Sequence, residues 1–310
     1  MKLHCGPKSA THGRAATRFN GRQIGSAAML LAGVLFSASA AAVDSFTDTY
    51  RNGTSCGSTF NITGREPSTA GTYPVFLYMV GTTESATNAS AIAAITGMAN
   101  RGYVAATIAY PNSTFGGCST ISGRAQCIFN PNSTNSAVSK LCARAKADCS
   151  KGIVVGGFSQ GSVIATLAKN FDSRVRAAYG LGEHAHYSSF DLSSCMNNGN
   201  HALASTNLRM VNGQADSFVG GTLSASVSDA QQVTGLSCGT GATSCLRSDG
   251  SGWIIVLNNQ VQDGSADHCY MRASGGCSGS QNSLDQGWAN GTAAWELNPN
   301  LDWLSTRTAH

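Results

Sequence analysis

The run Gly152-Ile153-Val154-Val155-Gly156 is short and apolar, and Gly157-Phe158-Ser159-Gln160-Gly161 follows it directly. Beyond the pentapeptide, Val163, Ile164, Leu167, Ala168 and Phe171 recur at helical spacing. A buried strand, a tight turn flanked by glycines and a helix leave the chain little choice of fold: the strand must sit in a sheet with the helix packed on it. The same turn lifts the Ser159 hydroxyl clear of the sheet, where it can act as a nucleophile. The glycines suit a turn that is strained and runs close to its neighbours.

The pattern carries weight through this context. Gly53-Thr54-Ser55-Cys56-Gly57 and Gly235-Leu236-Ser237-Cys238-Gly239 match it too. Neither follows an apolar run or opens a helical pattern, and each holds a cysteine better read as half of a disulfide.

Further apolar runs at Tyr73–Val80, Tyr103–Tyr110, Val175–Leu181, Leu208–Asn212 and Trp253–Leu257 predict strands, with Gly152–Gly157 among them. They lack polar alternation, as strands buried on both faces do. Ser90–Asn100, Ser133–Ala147 and Gln160–Asn170 predict helices between them. This alternation implies an α/β fold, a mostly parallel central sheet flanked by helices. Active sites in such sheets form at the carboxyl ends of the strands.

Residues 1–42 hold five basic residues and no acidic one, then the apolar stretch Ala27–Phe36 and the small-residue run Ser37–Ala42. That order predicts a secretory signal peptide, and the apolar core is shorter than the roughly 20 residues of a membrane span. Residues 43–310 are then a single catalytic domain, secreted to an extracellular or periplasmic space. Without the leader the formal net charge falls from +4 to about −1, which removes any basic patch for nucleic acid. Stable membrane insertion is not expected, and a monomer is.

Ten of the 11 cysteines fall in the domain, an even number that implies disulfides in an oxidising compartment. Neighbour spacing suggests Cys118 with Cys127, Cys142 with Cys149, Cys238 with Cys245 and Cys269 with Cys277, leaving Cys56 for Cys195. Six N-x-S/T sequons, at Asn52, Asn61, Asn88, Asn112, Asn132 and Asn290, would admit glycans in a eukaryotic secretory pathway.

A serine hydroxyl needs a base and a carboxylate that orients the base. The domain has five histidines: His184, His186, His201, His268 and His310. His268, in the loop after the last predicted strand, is the expected base. Asp216 follows the preceding strand beyond a glycine turn and is the expected carboxylate, with Glu183 as runner-up. Asp263 and Asp267 read as loop charges. The backbone N–H groups of Gln160 and Thr82 are the expected oxyanion donors. Tyr187, Phe190 and Tyr110 are expected to line the substrate pocket, with Phe218 and Trp288 behind them. His184 and His186 have the i, i+2 spacing of an extended metal-binding segment, but no third ligand is evident, and no metal or organic cofactor is expected.

The order Ser159, Asp216, His268, each after its strand, resembles the α/β-hydrolase superfamily from about Tyr73 to Cys277. The elbow is similar to that of bacterial carboxylesterases and phospholipase/carboxylesterase-type enzymes, and secreted cutinases use a similar one with Gln after the serine. Two features depart from these relatives. Val80-Gly81 stands where the family often has His-Gly, and Asp216 lies 52 positions before His268, unlike the close pair of cutinases. The resemblance implies hydrolysis of small or polymeric esters through an acyl-enzyme. A serine peptidase with the same triad and an inactive binding protein on the same fold are the other readings.

Overall fold

The computed structural model describes residues 42–51, 56–239 and 241–310. The predicted signal segment up to Ala41, Ser55 and the sequon at Asn52 lie outside them.

Strands β1 (Val43–Tyr50) and β2 (Phe60–Pro67) open the chain as an antiparallel pair with Val43 opposite Pro67. Then follow β3 (Val75–Met79), helix α1 (Ala89–Ala99), β4 (Val104–Ile108), α2 (Cys118–Phe129), α3 (Ala137–Cys142), β5 (Ile153–Phe158), α4 (Gln160–Leu167) and β6 (Val175–Leu181). A small hairpin of β7 (His186–Tyr187) and β8 (Phe190–Asp191) leads through α5 (Ser193–Met196) to β9 (Leu208–Gly213) and α6 (Leu223–Thr234). The chain ends with β10 (Ser244–Leu246), β11 (Gly252–Val256), α7 (Gln286–Asn290) and α8 (Leu297–Ser305).

Nine strands form one sheet in the order β1-β2-β4-β3-β5-β6-β9-β11-β10. The six strands from β4 to β11 run parallel, and antiparallel strands border them on both sides. This is the α/β-hydrolase fold. The parallel strands are buried almost throughout, which is why each reads as a continuous apolar run.

The helix expected over Ser133–Ala147 is much shorter, because α3 ends at Cys142. Helix α2 was not anticipated, and it corrects two disulfides. The bonded pairs are Cys56–Cys127, Cys118–Cys195, Cys142–Cys149, Cys238–Cys245 and Cys269–Cys277. Cys118 and Cys127 lie at the two ends of α2, roughly 13 Å apart along its axis and on opposite faces, beyond the reach of one bridge. Each therefore reaches outward, and Cys56 and Cys195 pair with them instead of with one another.

Among the described residues no helix is long and apolar enough to cross a membrane. The Asn88 side chain is buried and caps α1, accepting from the Ala91 N–H at 2.8 Å, so that sequon already has a structural use.

Candidate active site

Ser159 sits between β5 and α4 with φ 54° and ψ −122°, a strained backbone for a residue that carries a Cβ. Its N–H donates to the Leu181 carbonyl of β6 at 2.8 Å, which anchors the turn to the sheet. Gly157 and Gly161 allow the turn to be this tight: a Cβ on Gly161 would overlap the Met79 carbonyl, and one on Gly157 would overlap the Gly161 carbonyl. The other two matches to the pattern have no such setting. Ser237 is exposed beyond the end of α6 beside the bonded Cys238, and Ser55 is not described.

The Asp216 carboxylate follows β9 and is buried. Its Oδ1 accepts from the Phe218 N–H at 3.0 Å, and its Oδ2 lies 2.6 Å from His268 Nδ1. Burial works against the Asp216 charge, but His184 and His268 beside it outweigh burial and hold its carboxyl well below the usual carboxylate range. A charged Asp216 fixes the His268 tautomer: Nδ1 carries the proton and Nε2 keeps its lone pair. Nε2 is buried with no hydrogen-bond partner among the described residues, and His268 lines the same cavity as Ser159. Gly182 packs on the same ring, where a Cβ would come within 2.8 Å of His268 Cε1. Ser159 Oγ and Nε2 are not hydrogen-bonded in this conformation; such contacts commonly tighten only with substrate bound.

The loop after β3 supplies the expected oxyanion donors. Among the described residues neither the Thr82 nor the Gln160 backbone N–H donates to a protein acceptor. The loop is nonetheless held from several sides. Asn112 Nδ2 donates to the carbonyls of Gly81 and Glu84 at 2.8 and 2.9 Å, while the Asn112 carbonyl accepts from the Thr83 N–H at 2.8 Å. The buried Gln160 side chain donates to Thr82 Oγ1 at 3.1 Å and to the Thr114 carbonyl at 2.9 Å, and accepts from Arg124 at 2.7 Å. Glu84 receives the Gly81 N–H at 2.8 Å and pairs with Arg272 at 2.5 Å. That buried ion pair ties the loop after β3 to the His268 loop, which Cys269–Cys277 closes.

The cavity measures about 370 Å³. Phe115, Phe158, Tyr187, Phe190 and Phe218 form its apolar lining, together with Thr82, Ser159 and His268. Phe218 stands edge-on to the His268 ring, centroids 4.6 Å apart, and Phe115 packs at a tilt against both Tyr187 and Phe190. Tyr110 and Trp288 are corrections. Both are buried away from this cavity, and Tyr110 instead donates to the Val80 carbonyl, just after β3, at 2.5 Å.

Glu183 does not reach His268. It is buried against the Thr166 hydroxyl, and that burial pushes its carboxyl up to about 8. His184 and His186, the pair considered from the sequence, both turn to the Asp229 carboxylate, at 2.9 and 3.1 Å. His184 also meets Asp216, through Nε2 at 2.8 Å. His184, Asp216 and His268 bring their nitrogens and a carboxylate oxygen within 4.8 Å of one another, and the short contacts among them are hydrogen bonds that converge on the one oxygen, Asp216 Oδ2. The sequence held one signal for His184: it follows a parallel strand just as Glu183 does, and the rule that favoured the carboxylate favoured its neighbour equally.

No family model matches the chain, and no curated protein matches it. Solved structures do. An S-formylglutathione hydrolase from Agrobacterium tumefaciens aligns at 13% identity over 86% of this chain and 95% of its own, with a TM-score of 0.51. A cold-adapted esterase from an Arctic intertidal metagenomic library aligns at 11% identity over the same shares, with a TM-score of 0.53. These likenesses concern the fold. Brefeldin A esterase, a bacterial homologue of human hormone-sensitive lipase, matches in part: at 17% identity and a TM-score of 0.35, the chain spans 39% of its length.

Proposed function

We propose that this chain is a secreted serine hydrolase that cleaves carboxylic esters, with Ser159 as nucleophile, His268 as base and Asp216 as its orienting carboxylate. One observation carries the reading: beside a serine on a strained elbow, a histidine donates Nδ1–H to a buried carboxylate at 2.6 Å and keeps a bare Nε2.

The Ser159 oxygen adds to the ester carbonyl carbon while its proton passes to His268 Nε2. The backbone N–H groups of Gln160 and Thr82 stabilise the resulting oxyanion. His268 then gives the proton to the departing alkoxide as the carbon–oxygen bond breaks, and the alcohol leaves. Water repeats the sequence: its proton goes to His268, its oxygen bonds to the acyl carbon, and Ser159 departs with the proton, releasing the acid.

The aromatic wall and the cavity volume favour an apolar acyl or alcohol group of modest size. Phe190 and Phe218 are 38% and 39% exposed at this cavity, which leaves it accessible to a bulky ester. Secretion is part of the proposal, supported by the leader pattern in residues 1–42 and by five disulfides.

The test is a fluorophosphonate probe on the purified disulfide-bonded protein, read by intact mass. One adduct on wild type and none on Ser159→Ala is the expected result, followed by turnover of p-nitrophenyl esters of graded chain length. A folded wild type that takes no adduct would overturn the proposal and leave an inert binding protein on this fold.

A further inference from the structure

We propose that His184 is a positioning residue that holds a fixed positive charge beside Asp216 and thereby lets His268 act as a base further into acid. The inference rests on the triad reading above.

The geometry begins at a single oxygen. Asp216 Oδ2 lies 2.6 Å from His268 Nδ1 and 2.8 Å from His184 Nε2, so one carboxylate oxygen serves two imidazoles. The other nitrogen of His184, Nδ1, lies 2.9 Å from Asp229 Oδ2 on α6. Asp229 is itself held by the backbone N–H groups of Ala185 and His186, both at 3.2 Å, and by the His186 ring at 3.1 Å. A neutral imidazole has one N–H, and at this site it would turn a bare nitrogen lone pair on one carboxylate. An imidazolium has two and satisfies both. His184 is fully buried, and the Asn212 amide is the other polar side chain near Nδ1, at the longer distance of 3.4 Å.

The charges around His184 agree. Asp216 approaches after β9, Asp229 from α6, His268 from the loop after β11, and Glu183, His186 and Tyr187 from its own segment; Asn212 on β9 is neutral. Burial works against a charge on His184, but Asp216 and Asp229 outweigh it and push its pKa up to about 10. Glu183, pushed up to about 8, is neutral at pH 7. Two carboxylates and one imidazolium therefore share the interior.

A cation here has two effects on the triad. It donates to the same Asp216 oxygen that His268 uses. It also opposes a second positive charge on His268, whose ring centre is 5.9 Å away. Attack by Ser159 requires a neutral His268, and an Asp216 partnered by His268 alone would draw a proton onto that ring at higher pH. His184 offsets part of this pull.

The test compares the pH dependence of kcat/KM for wild type and His184→Gln. Glutamine keeps an N–H for Asp216 and removes the charge. The expected result is an acid limb displaced upward by about one to two pH units. A merely structural role would lower the plateau without moving the limb, and an unmoved limb in an active variant would overturn the proposal. A second measurement needs no variant. In wild type labelled with 15N-histidine, both ring nitrogens of His184 should give the protonated signature at pH 8, and a neutral ring there would also overturn it. If wild-type Ser159 takes no fluorophosphonate, the triad and this role fall together; an unmoved limb in a labelled, active enzyme removes this role alone.

Discussion

At the scale of single residues, the site divides between groups that local sequence reveals and groups that only long-range packing assembles. Ser159, Asp216 and His268 each follow an apolar run, so the order of strands points to them before any coordinates exist. Asp229 does not follow a strand; it lies in mid-helix, 45 positions from the His184 it pairs with, on α6, which the sequence reading did not predict. Gln160 was legible for its backbone and not for its side chain, whose bonds to Thr82 and Arg124 cross 78 and 36 positions. Two predictions belong here. Ser159→Ala should fold normally, by circular dichroism and melting, and lose roughly three orders of magnitude or more in turnover. Gln160→Ala keeps the oxyanion N–H but frees Thr82, so kcat should fall about 10- to 100-fold with KM little changed. A large rise in KM at constant kcat would assign Gln160 to substrate binding instead.

Elements were legible where burial made them apolar. The six parallel strands lie close to the predicted runs because each is enclosed on both faces. Strands β1, β2 and β10 were missed because strands at the border of the sheet alternate or expose polar residues, and β1 reads Val43-Asp44-Ser45-Phe46-Thr47-Asp48-Thr49-Tyr50. Helix α2 was missed because Ser, Thr, Gly, Arg and Gln between its cysteines dilute its apolar spacing. That omission alone produced the two wrong disulfides. The link between loops makes a prediction at this scale. Glu84→Ala removes the carboxylate that holds the Gly81 N–H and leaves the buried Arg272 guanidinium without its counter-charge. Removing one partner of a buried pair costs about 3–5 kcal/mol, which urea unfolding should register as a lower midpoint at unchanged slope. Turnover should drop as well, since the oxyanion loop and the His268 loop lose their common anchor. Normal stability together with normal kcat would mean that Asn112 and Gln160 hold the loop by themselves.

For the molecule as a whole, the buried network makes stability depend on pH in a direction that can be worked out group by group. His184 has its folded pKa raised from 6.5 to about 10, so its contribution is complete below pH 6.5 and disappears as pH climbs toward 10. Glu183 is raised from 4.5 to about 8, and its protonated folded form likewise loses stability across that interval as pH rises. Asp216 is shifted the other way: its contribution is present above the ordinary carboxylate range and is lost only as pH falls far into acid. The three together tilt the stability curve toward the acid side of neutrality. The melting temperature of wild type should therefore decline steadily from pH 6 to pH 10 at fixed ionic strength. His184→Gln removes the titrating group with the highest pKa of the three, so its melting temperature should be lower at pH 6 and approach that of wild type by pH 10. Parallel curves for the two proteins would mean that His184 carries the same charge folded and unfolded, and the network would then be held by hydrogen bonds between neutral groups.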